Sequence, residues 1–263
     1  MAAGKPWSID EITLALALYF RTPYSRISTR NSDIQALAAQ LNRTPGSVSL
    51  KLGNLANLDL RVLQSGRKGF ANGGKNDRIV WDQYVGKDGD IALQRLTERV
   101  DLICQGNNDL RAESILISSN HIEQHGPTTR EVTRLERCYQ SMFRSVVLSR
   151  YEGRCAVSGL HLDSLLEAAH IVPWAEDETI RLEPNNGLAL NPLIHKAYDQ
   201  NLLGIDGGGI IHVSKELLDN AGNQPMHAFL EDINQTRIFM PHIGRPSEEL
   251  LDRHYQNSLQ AHS

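Results

Sequence analysis

Between His170 and Asp199 the chain carries the residue types that metal-assisted phosphodiester hydrolysis needs. A neutral histidine, with an ordinary pKa of ~6.5, can take a proton from an attacking water at physiological pH. A divalent ion can stabilise negative charge on the phosphate and the leaving oxygen. His195 and Asp199, four residues apart, project from one face of a helix and can hold such an ion together. Asn186 lies between the two histidines and can bond across a loop that orients the base.

The elements that must position these groups are legible around them. Leu165 to Val172 predicts a strand ending at Pro173. An acidic loop follows, in which Glu176, Asp177 and Glu178 read as solvated. Asn185-Asn186-Gly187 is a turn signal before a second apolar run, Leu188 to Leu190. Pro192 then opens a short helix, Leu193 to Asn201, carrying His195 and Asp199. Upstream, Val132, Leu135, Tyr139, Met142, Phe143, Val146 and Val147 recur at helical spacing and predict a long helix from Thr128 to Tyr151. Its arginines, Arg130, Arg134, Arg137, Arg144 and Arg150, read as a solvated face. Gly204 to Gly209 lacks the G-K-[ST] ending of a phosphate loop and reads as a hairpin turn between Leu202-Leu203 and Ile210-Ile211. Ser247 caps a last helix, with Glu248 and Glu249 in its first turn.

The stretch resembles the HNH, or ββα-metal, nuclease family in its restriction-like form. His170, Asn186 and His195 supply the three letters, supported by Glu-Ala-Ala-His-Ile-x-Pro and Asn-Gly-x-x-Leu. The lead-in Gln140-x-x-Phe143-Arg144-x-x-Val147-Leu148-x-x-Tyr151-x-x-Arg154-Cys155 resembles the helix preceding the motif in such enzymes. The resemblance covers roughly 128–214. It implies His170 as general base, Asn186 as the residue that fixes the loop, and His195 as a metal ligand, with Asp199 as an additional one. Two departures stand out. Many relatives carry a metal ligand immediately before the base, where this chain has Ala169; Glu167 is the candidate substitute. Many also carry Cys-x-x-Cys pairs, where this chain has Cys155 and Ser158, which argues against a zinc knuckle.

The N-terminal segment reads as compact and helical. Ser8 with Glu11 is a capping box opening Ile9–Tyr19, and Ser32 with Gln35 repeats the signal. Ile34, Leu37, Ala38 and Leu41 form one helical face. After Asn42-Arg43, Thr44 serves as the next N-cap with Pro45 at the first helical position. Val48, Leu52 and Leu55 continue the apolar stripe. The segment 6–58 resembles Myb-like and other helix-turn-helix modules, carried by Trp7-Ser8-x-x-Glu11 and by Leu37-Ala38-x-x-Leu41-Asn42-Arg43-Thr44-x-x-Ser47-Val48. Arg43, Ser47, Ser49, Lys51 and Asn54 are then the candidate DNA-contacting residues, with Ser47 onward presented outward by the second helix.

Charge supports that division. The whole chain of 263 residues has a net charge of −4. Residues 1–81 carry 11 Lys/Arg against 5 Asp/Glu, and residues 82–263 carry 16 against 26. No apolar run approaches the ~20 residues of a membrane span, and three separated cysteines fit a reducing cytosol better than a disulfide framework. The predicted architecture is α+β, with a helical DNA-binding domain at 1–81, a connecting region at 82–127 and an HNH nuclease domain at 128–263 whose core motif is 151–214. The expected function is that of a cytoplasmic, homodimeric endonuclease acting on double-stranded DNA with Mg²⁺ or Mn²⁺, the ligand types also permitting Zn²⁺ or Ni²⁺. The alternatives are a non-catalytic DNA-binding regulator that keeps the HNH fold as a scaffold, and a structural interaction protein.

Overall fold

The computed structural model describes residues 5–59, 62–63, 73–86, 91–117, 134–177, 179–242 and 244–261. The fold is α+β, and the chain divides into two compact units, Met1–Val146 and Val147–Ser263. Among the described residues, no helix is long and apolar enough to cross a membrane.

The N-terminal unit is built around helix α1 (Ile9–Arg21). The Ser8 amide donates to Glu11 Oε2 at 2.8 Å and the Glu11 amide donates to Ser8 Oγ at 3.1 Å, closing a capping box. Every residue from Ile12 to Arg21 is buried. A helix apolar on all sides must be enclosed by other elements. Around it stand α2 (Ser32–Gln40), α3 (Pro45–Ala56), α4 (Lys75–Tyr84), α5 (Leu93–Gln105) and α6 (Ala112–Leu116). Helices α5 and α6 fall in the stretch expected as a connection. Leu93, Leu96, Val100 and Cys104 bury one stripe of α5, which makes that stretch part of the core.

Helix α2 is capped one residue earlier than the sequence suggests. Asn31, not Ser32, is the cap, and its Oδ1 accepts from the amides of Asp33 and Ile34. Asn42 turns the chain between α2 and α3 at φ 50°, a left-handed conformation asparagine tolerates. Thr44 then caps α3 through the Ser47 amide, with Pro45 in its first turn.

The face of α3 expected to point outward needs correcting. Ser47 and Ser49 are half-buried, but Lys51 and Asn54 are buried, each 7% exposed. Lys51 Nζ lies 2.5 Å from Asp77 Oδ1. Arg43 is also committed inward: its guanidinium lies 4.2 Å over the Trp7 ring and grips Glu11 at 3.0 and 2.9 Å. The carbonyls of Lys5 and Pro6 accept from two more of its N–H groups. The reason is electrostatic: Glu11 and Asp77, brought in from other helices, neutralise these cations inside the unit.

Helix α7 (Arg134–Arg150) belongs to the first unit up to Val146 and to the second from Val147 on. Residues 128–133 of the expected helix, Arg130 among them, lie outside the described residues. Arg137 is exposed as expected, but Arg150 is buried and donates to Asn185 Oδ1 at 3.0 Å and to the Gly244 carbonyl at 3.3 Å.

Strands β1 (Glu167–His170) and β2 (Gly187–Leu190) form an antiparallel pair, followed by α8 (Pro192–Asp199). The first strand is shorter than predicted because residues 163–165 turn as a 3₁₀ helix. A second hairpin, β3 (Leu203–Ile205) with β4 (Ile211–Val213), occupies the predicted turn region. Helices α9 (Lys215–Asp219) and α10 (Gln224–Ile233) follow, and α11 (Glu248–Ala261) packs back on β3. Gly204 permits that approach, since a Cβ there would meet Ser258 Oγ and Tyr255 Cδ2 at 2.7 Å.

Removing one partner of a buried ion pair strands the other charge. Lys51→Ala is therefore expected to destabilise the N-terminal unit by about 3–5 kcal/mol, read as an earlier transition in urea denaturation of the full chain. An unchanged transition would show that Lys51 is not an internal counter-charge.

Candidate active site

Strand register positions the first group. Glu167 pairs with Leu190 and His170 with Gly187, so β1 delivers His170 at the point where the loop 171–186 leaves the sheet. Asn186 closes that loop. It is fully buried, its Oδ1 accepts from the Val172 amide at 2.8 Å, and its Nδ2 donates to the carbonyls of Val172 and Ile180 at 3.1 and 3.4 Å. The Ile171 amide donates to the Asn186 carbonyl at 2.9 Å. The two residues after His170 are thus tied to the residue before β2.

His170 Nε2 lies 3.0 Å from the Arg181 carbonyl. A carbonyl only accepts, so Nε2 carries the proton in this network and Nδ1 holds the lone pair. Trp174 packs edge-on against the ring at 5.5 Å, and the Arg181 guanidinium sits 4.9 Å over the Trp174 ring. Burial pushes the His170 pKa below the usual histidine value, while the Arg181 carbonyl and, more weakly, Asp199 oppose that shift. The imidazole is held neutral at pH 7, the form a base requires.

Helix α8 supplies the second pair. Asn191 caps it by accepting from the Ile194 amide at 3.0 Å, and the same side chain donates to Ser158 Oγ at 2.9 Å. The helix is therefore anchored to the 155–158 turn as well as to the sheet. His195 Nδ1 lies 2.6 Å from Glu167 Oε2, and its Nε2 lies 3.5 Å from Asp199 Oδ1. The Glu167 carboxylate accepts, so Nδ1 carries a proton, and Nε2 faces the Asp199 carboxylate. Ala169, next to His170 on β1, is fully buried.

His170, His195 and Asp199 line one cavity of about 440 Å³. Asn186 stands behind it, and Glu167 meets it through His195. Arg43, Ser47, Ser49, Lys51 and Asn54 belong to the N-terminal unit. Among the described residues, no group of three or more His, Cys, Asp and Glu side chains is arranged to hold a metal ion. The wall also contains residues that sequence reading passed over: Trp174 from the loop, and Arg253, His254 and Asn257 from α11. The only signal for the last three was their spacing, which places Arg253 and Asn257 on one side of a helix.

A family model described as HNH endonuclease matches residues 155–206. That span contains β1, the Asn186 loop, β2 and α8, and it is an HNH-family domain, a type that acts generally in nucleases. No curated protein matches the chain.

Asn186→Ala would leave the buried amide and carbonyl of Val172 without their side-chain partner, while the Ile180 carbonyl keeps the Glu183 amide. The expected cost is on the order of 2–4 kcal/mol, with faster hydrogen exchange at the Val172 amide. Normal protection at Val172 would show that something else closes the loop.

Proposed function

We propose that the HNH domain is a metal-dependent endonuclease hydrolysing phosphodiester bonds of double-stranded DNA, with His170 as general base. The observation that carries this reading is the tethering of His170 Nε2 to the Arg181 carbonyl, which leaves the basic Nδ1 on a ring in the same cavity as His195 and Asp199. In the reaction, Nδ1 takes the proton of the water that attacks phosphorus in line with the leaving oxygen. Asn186 holds the loop so that the ring keeps one orientation. Trp174 limits water around it and helps keep it neutral.

The donor set fits a divalent cation. His195 offers the Nε2 lone pair, Asp199 offers a half-exposed carboxylate at 3.5 Å, and Glu167 fixes the ring from its other side. A histidine oriented by a carboxylate on one nitrogen and ligating through the other is a common metal-site arrangement. Glu167 enters this reading as the group that orients His195, in place of the ligand role the sequence suggests. With two protein ligands, water and substrate phosphate would complete the shell, as Mg²⁺ and Mn²⁺ sites commonly allow; Zn²⁺ and Ni²⁺ match the same donors. Such an ion, when bound, supplies charge stabilisation at the phosphate and the leaving oxygen.

One such site cuts one strand, so double-strand cleavage in a restriction-like role requires two copies, for which a homodimer is the simplest assembly. In the N-terminal unit, Ser47 and Ser49 remain the candidate DNA contacts on α3, since Arg43, Lys51 and Asn54 are committed internally.

Plasmid nicking by the full chain in Mg²⁺, Mn²⁺ and Ni²⁺ tests the reading. His170→Ala is expected to lose about 10²- to 10⁴-fold in rate. Absence of nicking by wild type in every metal would favour the non-catalytic regulator, and equal nicking by His170→Ala would remove His170 from the role of base. The depressed His170 pKa also fixes a sign. The base is lost as pH falls, so the acid limb of the rate profile should lie below ~6.5, the ordinary histidine value. A limb centred above that value would contradict a buried neutral base.

A further inference from the structure

The cavity that holds His170, His195 and Asp199 is acidic or neutral on almost every side. Its ionisable lining consists of these three, Glu176, His254 and Arg253. His254 contributes no charge near neutrality, because burial pushes its pKa down to about 4 against a weaker opposing hydrogen bond to the Tyr198 backbone. Among the described residues, Arg253 is therefore the one fixed cation on the wall. A site meant for a polyanion has to offset the repulsion of Asp199 and Glu176, and Arg253 is the side chain able to do so.

Its placement is determined by packing. Leu251, His254 and Ser258 form the buried stripe of α11, and β3 admits that stripe at Gly204. The His254 ring stacks on Tyr198 of α8 at 3.7 Å and 7°, so α11 is pinned to the helix that carries His195 and Asp199. The Gly207 amide donates to Asp252 Oδ1 at 2.6 Å and fixes the turn of helix just before Arg253. The Arg253 head group is itself exposed, and it is paired with Glu176 of the loop that follows the base. Arginine on the wall of a cavity lined by both apolar and polar side chains is the preferred side chain for two-point recognition of a phosphate oxygen pair.

We infer that Arg253 binds a backbone phosphate of the DNA at the cleavage site, and that Glu176 holds it in place until the phosphate displaces the carboxylate. The inference rests on the nuclease reading for the identity of the anion, while the residue lies outside the span matched by the HNH family, 155–206. A guanidinium fork offers parallel donors to either a carboxylate or a phosphate. Exchange between them conserves the charge-assisted bonds, so releasing Glu176 costs little. An exposed pair of this kind is weak on its own, which is what a displaceable latch requires.

The test combines binding and cleavage on the full chain. In a His170→Ala background with Mg²⁺ present, binding to a DNA duplex is measured between ~50 and ~200 mM salt. Arg253→Ala should make the slope of log K against log salt shallower by ~0.9, the counterions of one phosphate contact, and Arg253→Lys should restore most of it. Glu176→Gln should tighten binding about two- to fivefold, and that gain should vanish when Arg253→Ala is added. With His170 intact, Arg253→Ala should lower nicking kcat/KM by about 10- to 100-fold. An unchanged salt slope and an unchanged kcat/KM in Arg253→Ala would overturn the inference. A Glu176→Gln gain that persists without Arg253 would overturn the latch, leaving simple acidic repulsion. If wild type does not nick while Arg253→Ala still loses the salt slope, the phosphate contact stands and the nuclease reading falls.

Discussion

Everything at the candidate active site depends on one buried amide. Asn186 is where a long, polar, acidic loop is forced back to the sheet it left, and its side chain spends its donor and acceptor on backbone groups of that loop. Without that clasp the loop has no regular ladder to satisfy the amide and carbonyl of Val172, and buried backbone groups without partners are costly. With it, the Arg181 carbonyl is brought to His170 Nε2, and a histidine at the end of a short strand acquires one tautomer and one orientation. The chemistry assigned to His170 is a consequence of loop closure.

The side of the cavity that carries His195 and Asp199 is fixed by a different principle, helix anchorage. Asn191 joins the start of α8 to the 155–158 turn, and Glu167 meets His195 from β1. The stack of His254 on Tyr198 adds α11 as a second wall. Three elements distant in sequence therefore converge on one cavity, each held by a contact whose groups are buried or half-buried. Such rigid support is what keeps reacting groups within the small tolerance catalysis demands.

The N-terminal unit shows how net charge can mislead when read from composition. Its basic surplus suggests a surface built for phosphate, yet Arg21, Arg43 and Lys51 are all engaged in buried or partly buried ion pairs, with Asp33, Glu11 and Asp77 respectively. These cations hold helices together. A positive sum over a segment is compatible with DNA binding, but the residues that make up the sum must be at the surface to take part.

Local signals carried much of the architecture. The Ser8–Glu11 capping box, the Thr44-Pro45 start of α3, the Asn-Gly turn and the helix behind Pro192 all follow from preferences acting within a few residues, and all appear where the spacing puts them. The type and order of His170, Asn186 and His195 were also legible in the sequence, since both are local facts, and all three fall inside the span the family matches. Tertiary structure alone decided the rest. Burial of Lys51 and Asn54 needed α4 and its Asp77; the role of Glu167 needed α8; the arrival of Arg253 at the cavity needed the bare backbone of Gly204 and the ring stack on Tyr198. In each case the partner lies far along the chain. Periodicity records which face of an element is apolar, but it holds no information on which distant charge will come to meet it.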